Sequence, residues 1–222
     1  HQAGGMGFVL QELMDGGLLD LSTKTCWGAD LSECYKIPII KNSEINSSAR
    51  KLNSLNLDVL RPISSPFNKS GGIKVLTGNL GKAVIKISAV AEVHHKVSAK
   101  ALVFDTQSEV KEAFDAGLMD RDVVVVVRGQ GPKANGMPEL HSLTPLLSII
   151  QQKGFQVALV TDGRMSGASG KVPAAIHLYP EAVDGGPISK IRDGDFVTVD
   201  ALTGTISVAF DPSNKLPKKP LQ

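Results

Sequence analysis

The sequence predicts a mixed α/β fold with a β-rich sheet, and three observations carry that expectation. Residues 101–160 alternate strand-like and helix-like segments in a β-α-β-α-β rhythm. Two pairs of short apolar segments, IKVLTGN/LGKAVIKIS over 73–88 and FVTVDALTGTISV over 196–208, read as strands reversing at Gly78-Asn79 and near Gly204. The unbroken valines Val123 to Val127 have the pattern of a strand covered on both faces, as parallel sheets favour.

Taken in order, residues 1–20 place Phe8, Val9, Leu10, Leu13 and Met14 at helical spacing, and Gly16-Gly17 ends the run. Residues 21–57 are rich in Ser, Asn and Lys with little periodicity and read as a connector. Ala101 to Phe104 is a short strand. Ser108 is placed to cap a helix burying Val110, Ala113 and Phe114 before Gly117. Ser142 is placed to cap the next helix, with Pro145 in its first turn, where a missing N–H costs little. That helix is expected to bury Leu146, Leu147, Ile149 and Ile150, and Val157 to Val160 follows as a strand. The expected division is 1–58 for helix and connector, 59–211 for the main domain and 212–222 for a disordered tail holding three prolines and three lysines.

Composition removes several classes of function. The 222 residues carry a net charge of +2, too little to build a polyanion-binding field. Aromatics make up 5%, poor material for stacking bases, so no nucleic-acid partner is expected. The longest aliphatic run is the five valines, against the ~18 residues that span a bilayer, so no membrane partner is expected either. The opening HQAGGMGF has neither a basic n-region nor an apolar h-region, which points to a cytoplasmic protein; lacking an initiator Met, it reads as following a lost amino-terminal part. Cys26 and Cys34, eight positions apart, match no zinc or iron–sulfur spacing.

Function concentrates in two loops. In parallel β/α sheets ligands gather beyond the carboxyl ends of the strands, and there the sequence places RGQGPKANGMPEL (128–140) and TDGRMSGASGK (161–171). The first offers Arg128, Lys133, Asn135 and Glu139; the second offers Asp162, Arg164, Ser166, Ser169 and Lys171. A carboxylate among cations suits a hard cation such as Mg²⁺. A serine among glycine amides and cations can serve as a nucleophile or, once deprotonated, as a base. Glycine-shaped turns with solvated charges explain the same residues almost as well. SGASGK is not a phosphate loop, because Met165 and Val172 stand where that motif needs Gly and Ser or Thr. GRMSGAS is not a nucleophile elbow, because Arg164 replaces the first glycine. His94-His95 reads as a surface pair, His177 as a local packing or capping residue, and His141 as a secondary candidate beside Glu139.

VVRGQGPKANGMPELHSLTPLL, VALVTDGRMSGASGKVPAAIHLYPEA and GGPISKIRDGD resemble the carboxy-terminal part of the dihydroxyacid and phosphogluconate dehydratase family. The wordings ANGMPELH and GRMSGASGKVPAAIH favour its phosphogluconate branch, and LRPISSPFNKSGGIKVLTGNLGKAVIKISAV and GGMGF extend the likeness to residues 1–20 and 59–208. The resemblance implies a β-rich swivelling (β/β/α) domain, similar to that of aconitases, preceded by a partial connector. It implies dehydration of 6-phosphogluconate to 2-keto-3-deoxy-6-phosphogluconate, in the Entner–Doudoroff pathway. By the same resemblance, Ser166 is the alkoxide-like base that takes the C2 proton, and Glu139 helps hold Mg²⁺. The resemblance further implies that a 4Fe-4S iron–sulfur cluster, held by an amino-terminal domain missing from this chain, draws off the C3 hydroxyl. Arg164, Lys133, Ser169, Lys171 and Asn135 are expected to bind the sugar-acid phosphate, and the full-length protein is expected to be a homodimer. Serine is a far weaker acid than tyrosine (pKa ~10), so a neighbouring cation would be needed to deprotonate it. Another sugar-acid or dihydroxyacid dehydratase, or a non-catalytic swivelling module, remains open, and the 222 residues alone are expected to show no turnover.

Overall fold

A computed structural model describes residues 1–26, 30–33, 37–48, 52–166 and 171–210. The chain divides into two compact units, His1–Ser70 and Gly71–Gln222. The tail expected over 212–222 lies outside the described residues.

In the first unit, helix α1 (Gly5–Asp15) ends at Gly16, as its apolar spacing predicts. It buries Phe8 and Gln11. The Gln11 amide pairs with the Leu52 backbone, accepting from its N–H at 2.8 Å and donating to its carbonyl at 3.2 Å. The expected featureless connector instead carries an antiparallel hairpin, β1 (Ile37–Lys41) and β2 (Glu44–Ser48). Asn42 and Ser43 make the reversal with positive φ, which a two-residue hairpin turn requires. Neither is glycine, so the turn signal in the sequence is weak.

The second unit is a closed eight-stranded barrel in the order β10-β3-β4-β8-β7-β6-β5-β9. Its strands are β3 (Ile73–Gly78), β4 (Gly81–Lys86), β5 (Lys96–Phe104), β6 (Val123–Val127), β7 (Val157–Thr161), β8 (Ala174–Tyr179), β9 (Phe196–Asp200) and β10 (Thr205–Ala209). β5, β6, β7 and β8 run parallel. The β3–β4 and β9–β10 pairs are antiparallel hairpins, as the sequence predicts. β5 is longer than expected: Lys96–Lys100 pairs antiparallel with β9, while Ala101–Phe104 pairs parallel with β6. β8 went unanticipated because its apolar residues follow directly on the loop at 161–171.

Closure removes the open edges that a sheet must otherwise protect. At the seam, β10 meets β3 through one parallel pair, Thr205 with Thr77. Asn79 extends the ladder with its side chain, donating to Val208 O at 2.8 Å and accepting from Val208 N at 2.9 Å. Gly78 has to be glycine at this seam, since a Cβ there would sit 1.7 Å from Ile206 O.

The valine run is buried on both faces for a simple reason. Val124 and Val126 point into the barrel with Val97, Ala99, Ala158 and Val160. Val123, Val125 and Val127 point outward against α2 (Gln107–Asp115) and α4 (Leu143–Gln152), among Val110, Leu143, Leu147 and Ile150. Alternate residues of one strand thus enter two cores.

The caps differ in detail from the sequence reading. Thr106, not Ser108, caps α2, its hydroxyl accepting from Glu109 N at 3.3 Å. Ser142 precedes α4 but makes no capping bond; its hydroxyl donates to the Gln107 side chain. α4 buries Leu143, Thr144, Leu147 and Ile150, whereas Leu146 is half-buried and Ile149 exposed. None of the described helices is long and apolar enough to cross a membrane.

Candidate functional site

Because β6 and β7 are parallel neighbours paired from Val123–Val157 to Val127–Thr161, the two glycine-rich loops leave the barrel side by side at its carboxyl edge. The second loop then runs along the first. Leu140 N donates to Arg164 O at 3.1 Å, and Glu139 and Arg164 form an isolated parallel bridge.

This register brings together three residues singled out from the sequence. Ser166 N donates to Glu139 Oε1 at 2.6 Å across a separation of 27 residues. Arg164 Nη1 lies 3.3 Å from Glu139 Oε2, and its Nε donates to Met137 O at 3.0 Å. The Glu139 carboxylate therefore meets an amide on one oxygen and a guanidinium on the other. Both its side chain and Ser166 are half-buried, open to a reactant. Met165, between them, faces inward and accepts from the Thr144 hydroxyl at 3.2 Å, fastening the loop to α4. Met137 and His177 are non-glycine residues with positive φ, 58° and 55°. Each bonds the neighbouring Gly163–Arg164 segment, through Met137 O to Arg164 Nε and from His177 N to Gly163 O at 2.8 Å. Such conformations cost of order 1–3 kcal/mol and persist where surrounding contacts over-determine them.

The other expected substrate-binding residues have separate partners. Lys133 and Asn135 lie on the one-turn helix α3 (Pro132–Asn135), which the sequence reading did not anticipate. Lys133 Nζ pairs with both Asp184 oxygens at 2.8 Å, and this charge raises its pKa above the usual lysine value. Asn135 Nδ2 donates to Gln130 Oε1 at 3.0 Å. Lys171 is exposed, its carbonyl accepting from Gln151 at 3.5 Å, and Ser169 lies outside the described residues. His141 is exposed beside Glu139. His95 Nε2 lies 3.0 Å from Val90 O, and His94 Nδ1 lies 3.4 Å from Gln156 Oε1.

Beneath the loops lies a charged layer whose burial the sequence does not show: Arg128 and Asp162 read there as loop residues, and Glu181 is not singled out. Arg128 is fully buried, its Nε 2.9 Å from Asp105 Oδ1 and its Nη1 3.0 Å from Ser189 O. Asp162, 1% exposed, accepts three backbone N–H groups: Gln130 at 2.9 Å, Gly129 at 3.1 Å and Ala182 at 2.9 Å. Glu181, also buried, accepts from Lys133 N at 3.2 Å and Ala134 N at 3.3 Å. In the sequence these residues look like ordinary loop charges; only their burial distinguishes them.

A barrel with helices packed on one flank, presenting a serine–carboxylate–guanidinium group at its carboxyl edge, has the makings of an active-site domain. The sequence matches the family described as Dihydroxy-acid/6-phosphogluconate dehydratase C-terminal over residues 58–219, and the chain belongs to that family. It is 50% identical over 209 residues to a phosphogluconate dehydratase of Pseudomonas aeruginosa, covering 94% of this chain and 34% of that protein. It is 48% identical over 218 residues to the phosphogluconate dehydratase of Escherichia coli K12, covering 98% and 36%. A dihydroxy-acid dehydratase of Sulfurisphaera tokodaii is 36% identical over 225 residues, covering 99% and 37%. The chain thus spans about a third of the length of these relatives.

Proposed function

We propose that the chain is the carboxy-terminal domain of an enzyme that dehydrates 6-phosphogluconate to 2-keto-3-deoxy-6-phosphogluconate. The observation that carries this reading is the 2.6 Å contact joining the Ser166 amide to the Glu139 carboxylate at the shared edge of two parallel strands. The higher identity to proteins named phosphogluconate dehydratase, 50% against 36% for a dihydroxy-acid dehydratase, supports the phosphorylated substrate. The closed barrel flanked by α2 and α4 agrees with a swivelling β/β/α domain of aconitase type. A cytoplasmic homodimer completes the proposal.

In this reading Ser166 takes the C2 proton of the substrate. Glu139 fixes the serine's backbone, and its carboxylate would serve as one ligand to Mg²⁺. The donor chemistry fits: Mg²⁺ is commonly held by one or two carboxylates while keeping several waters. Among the described residues no cluster of three His, Cys, Asp or Glu could hold a metal, and Glu139 would supply one ligand of a site completed from elsewhere. When bound, the cation would supply charge stabilisation for the enolate that develops beside the substrate carboxylate. The described residues do not fit an iron–sulfur cluster: Cys26 is exposed and belongs to no ligand group, and Cys34 lies outside them. In this reading Arg164, half-exposed beside Glu139, is the cation that meets an anionic group of the substrate, while Lys133 is held by Asp184.

The test is a steady-state assay of the full-length protein on 6-phosphogluconate, beside a non-phosphorylated sugar acid and a branched 2,3-dihydroxy acid. The proposal expects the highest kcat/KM on the phosphorylated acid. A higher value on either alternative would reassign the substrate, and turnover of none would remove the dehydratase reading.

A further inference from the structure

We propose that Asp162 is a positioning residue of the candidate site, setting the loop that carries Glu139 against the loop that carries Ser166. The inference rests on the reading of Ser166 and Glu139 as the working pair. It starts from a pattern: alternate residues of one short segment each reach across to the same neighbouring loop. Asp162 takes the loop's second and third amides through its side chain, Gly129 N on Oδ2 and Gln130 N on Oδ1. Arg164 takes its far end, through Leu140 N and Met137 O. Ser166 closes on Glu139 itself. The loop is therefore pinned at both ends by residues two positions apart on the next strand's extension.

The pinning at the Asp162 end is tight. A Cβ on Gly163 would lie 2.7 Å from Gln130 Cβ, and a Cβ on Gly131 would lie 2.2 Å from Glu181 Oε2. The third bond, from Ala182 N to Asp162 Oδ2, ties in the turn whose Glu181 and Asp184 hold Lys133. One buried carboxylate thus joins the loops after β6, β7 and β8. The three contacts reach two other loops, and hydrogen bonds to a carboxylate are stronger than neutral ones. Its contacts with Gly129, Gln130 and Ala182 are all to backbone amides, so it acts through the residues it places.

Asp162→Asn in the full-length protein is the discriminating change. It keeps size and one carbonyl oxygen but puts an NH2, which cannot accept, where the second oxygen was. Amide hydrogen exchange is read at Gly129, Gln130, Ala182 and Ser166, together with kcat and KM on 6-phosphogluconate. In the wild-type protein all four amides should be protected. In the variant Ser166 N–H should exchange roughly tenfold faster or more along with the other three. kcat should fall about 10–100-fold with KM changed less than about threefold, because misplacement by an ångström carries penalties of that size. Adding Glu139→Gln to Asp162→Asn should cost little beyond Glu139→Gln alone, since both act on one unit. Loosening confined to Gly129, Gln130 and Ala182, with Ser166 still protected, would make Asp162 a local anchor and overturn the proposal. Additive kinetic losses would overturn it equally. Should Asp162→Asn fail to fold, Gly163→Ala strains the same junction from the opposite side and must loosen Ser166 N–H for the proposal to stand. Absence of dehydratase turnover in the wild type would defeat the functional reading, while the exchange at Ser166 still decides the coupling.

Discussion

Replacing Ser166 by Ala separates chemistry from structure at one atom. The bond between this residue and Glu139 uses the backbone N–H, at 2.6 Å, so the substitution removes the hydroxyl and leaves that bond in place. Ser166 is half-buried, and its Cβ remains, so no cavity of consequence opens. Stability should move by no more than about 0.5 kcal/mol, the usual range for a change that touches no packed or paired group. Turnover should respond on another scale. A positioned base contributes about 10²–10⁴-fold, equivalent to roughly 3–5 kcal/mol in the barrier. The assay is steady-state dehydration of 6-phosphogluconate by the full-length protein, with exchange of the C2 proton into deuterated solvent followed in parallel. Both should fall together, and the thermal midpoint should stay within a degree or two. A variant that keeps more than about a tenth of the wild-type rate would refute the assignment, since no base in the mechanism can be lost so cheaply. A variant that loses turnover while still exchanging the C2 proton would move Ser166 from proton abstraction to the later loss of hydroxide.

Glu139→Gln should do the reverse and disturb structure as well as rate. It exchanges an ionised acceptor for a neutral one at Ser166 N and turns an amide toward Arg164, at a local cost of about 1–2 kcal/mol. Ser166 N–H should then exchange about 5–30-fold faster, and the Mg²⁺ concentration for half-maximal activity should rise roughly tenfold or more; an unchanged metal titration would leave Glu139 a structural residue. Asp200 sets an acid limit on the barrel. Burial pushes its carboxyl up, but hydrogen bonds from Thr203 N and Leu202 N and the nearby Lys96 outweigh this and lower its pKa. A depressed folded pKa contributes stability above the unfolded value of ~3.9, and that contribution is lost as pH falls through the folded one. Asp200→Asn should therefore be less stable than wild type by roughly 1–2 kcal/mol at neutral pH, with the difference vanishing in acid melts; a constant difference from pH 7 to 2 would contradict it.

Much of the barrel was legible because its strands carry strong local signals. The run Val123–Val127 announces burial on both faces, and the two hairpins announce themselves by alternation around Gly78-Asn79 and Gly204. Closure was not legible. It depends on one residue pair, Thr205 with Thr77, and on a side chain, Asn79, standing in for backbone. No periodicity encodes such long-range pairing. The β1–β2 hairpin escaped notice for a related reason: Asn42 and Ser43 turn the chain without glycine, and Ile39, Ile40 and Ile45 are exposed, so no buried face marks the strands. At the site, the two loops and the meeting of Glu139 with Ser166 could be read from strand order, glycine density and the family wording. The burial of Arg128, Asp162 and Glu181 could not, because a charged residue in a loop is ordinarily solvated and only tertiary packing says otherwise.

The buried layer explains how a site on glycine-rich loops can be held still. Loops of this length with several glycines have many accessible conformations, and ordering each residue costs about 1–2 kcal/mol in backbone entropy. Helix and strand ladders repay that cost elsewhere in the barrel, but loop backbone needs other acceptors. Asp162 satisfies Gly129, Gln130 and Ala182; Glu181 satisfies Lys133 and Ala134; Glu139 satisfies Ser166. Each carboxylate thereby replaces a piece of missing secondary structure, and Arg128, paired with Asp105 and bonded to Ser189 O, supplies positive charge within the same layer. Of the three loop carboxylates, Glu139 alone is half-buried rather than buried, and it is the one with a single amide donor and a half-exposed guanidinium. The gradation from Asp162 to Glu139 runs from a carboxylate whose contacts are all internal to one that can still accept a ligand from outside. That difference in solvation, more than the identity of the residues, separates the scaffold of the candidate site from the edge proposed to react.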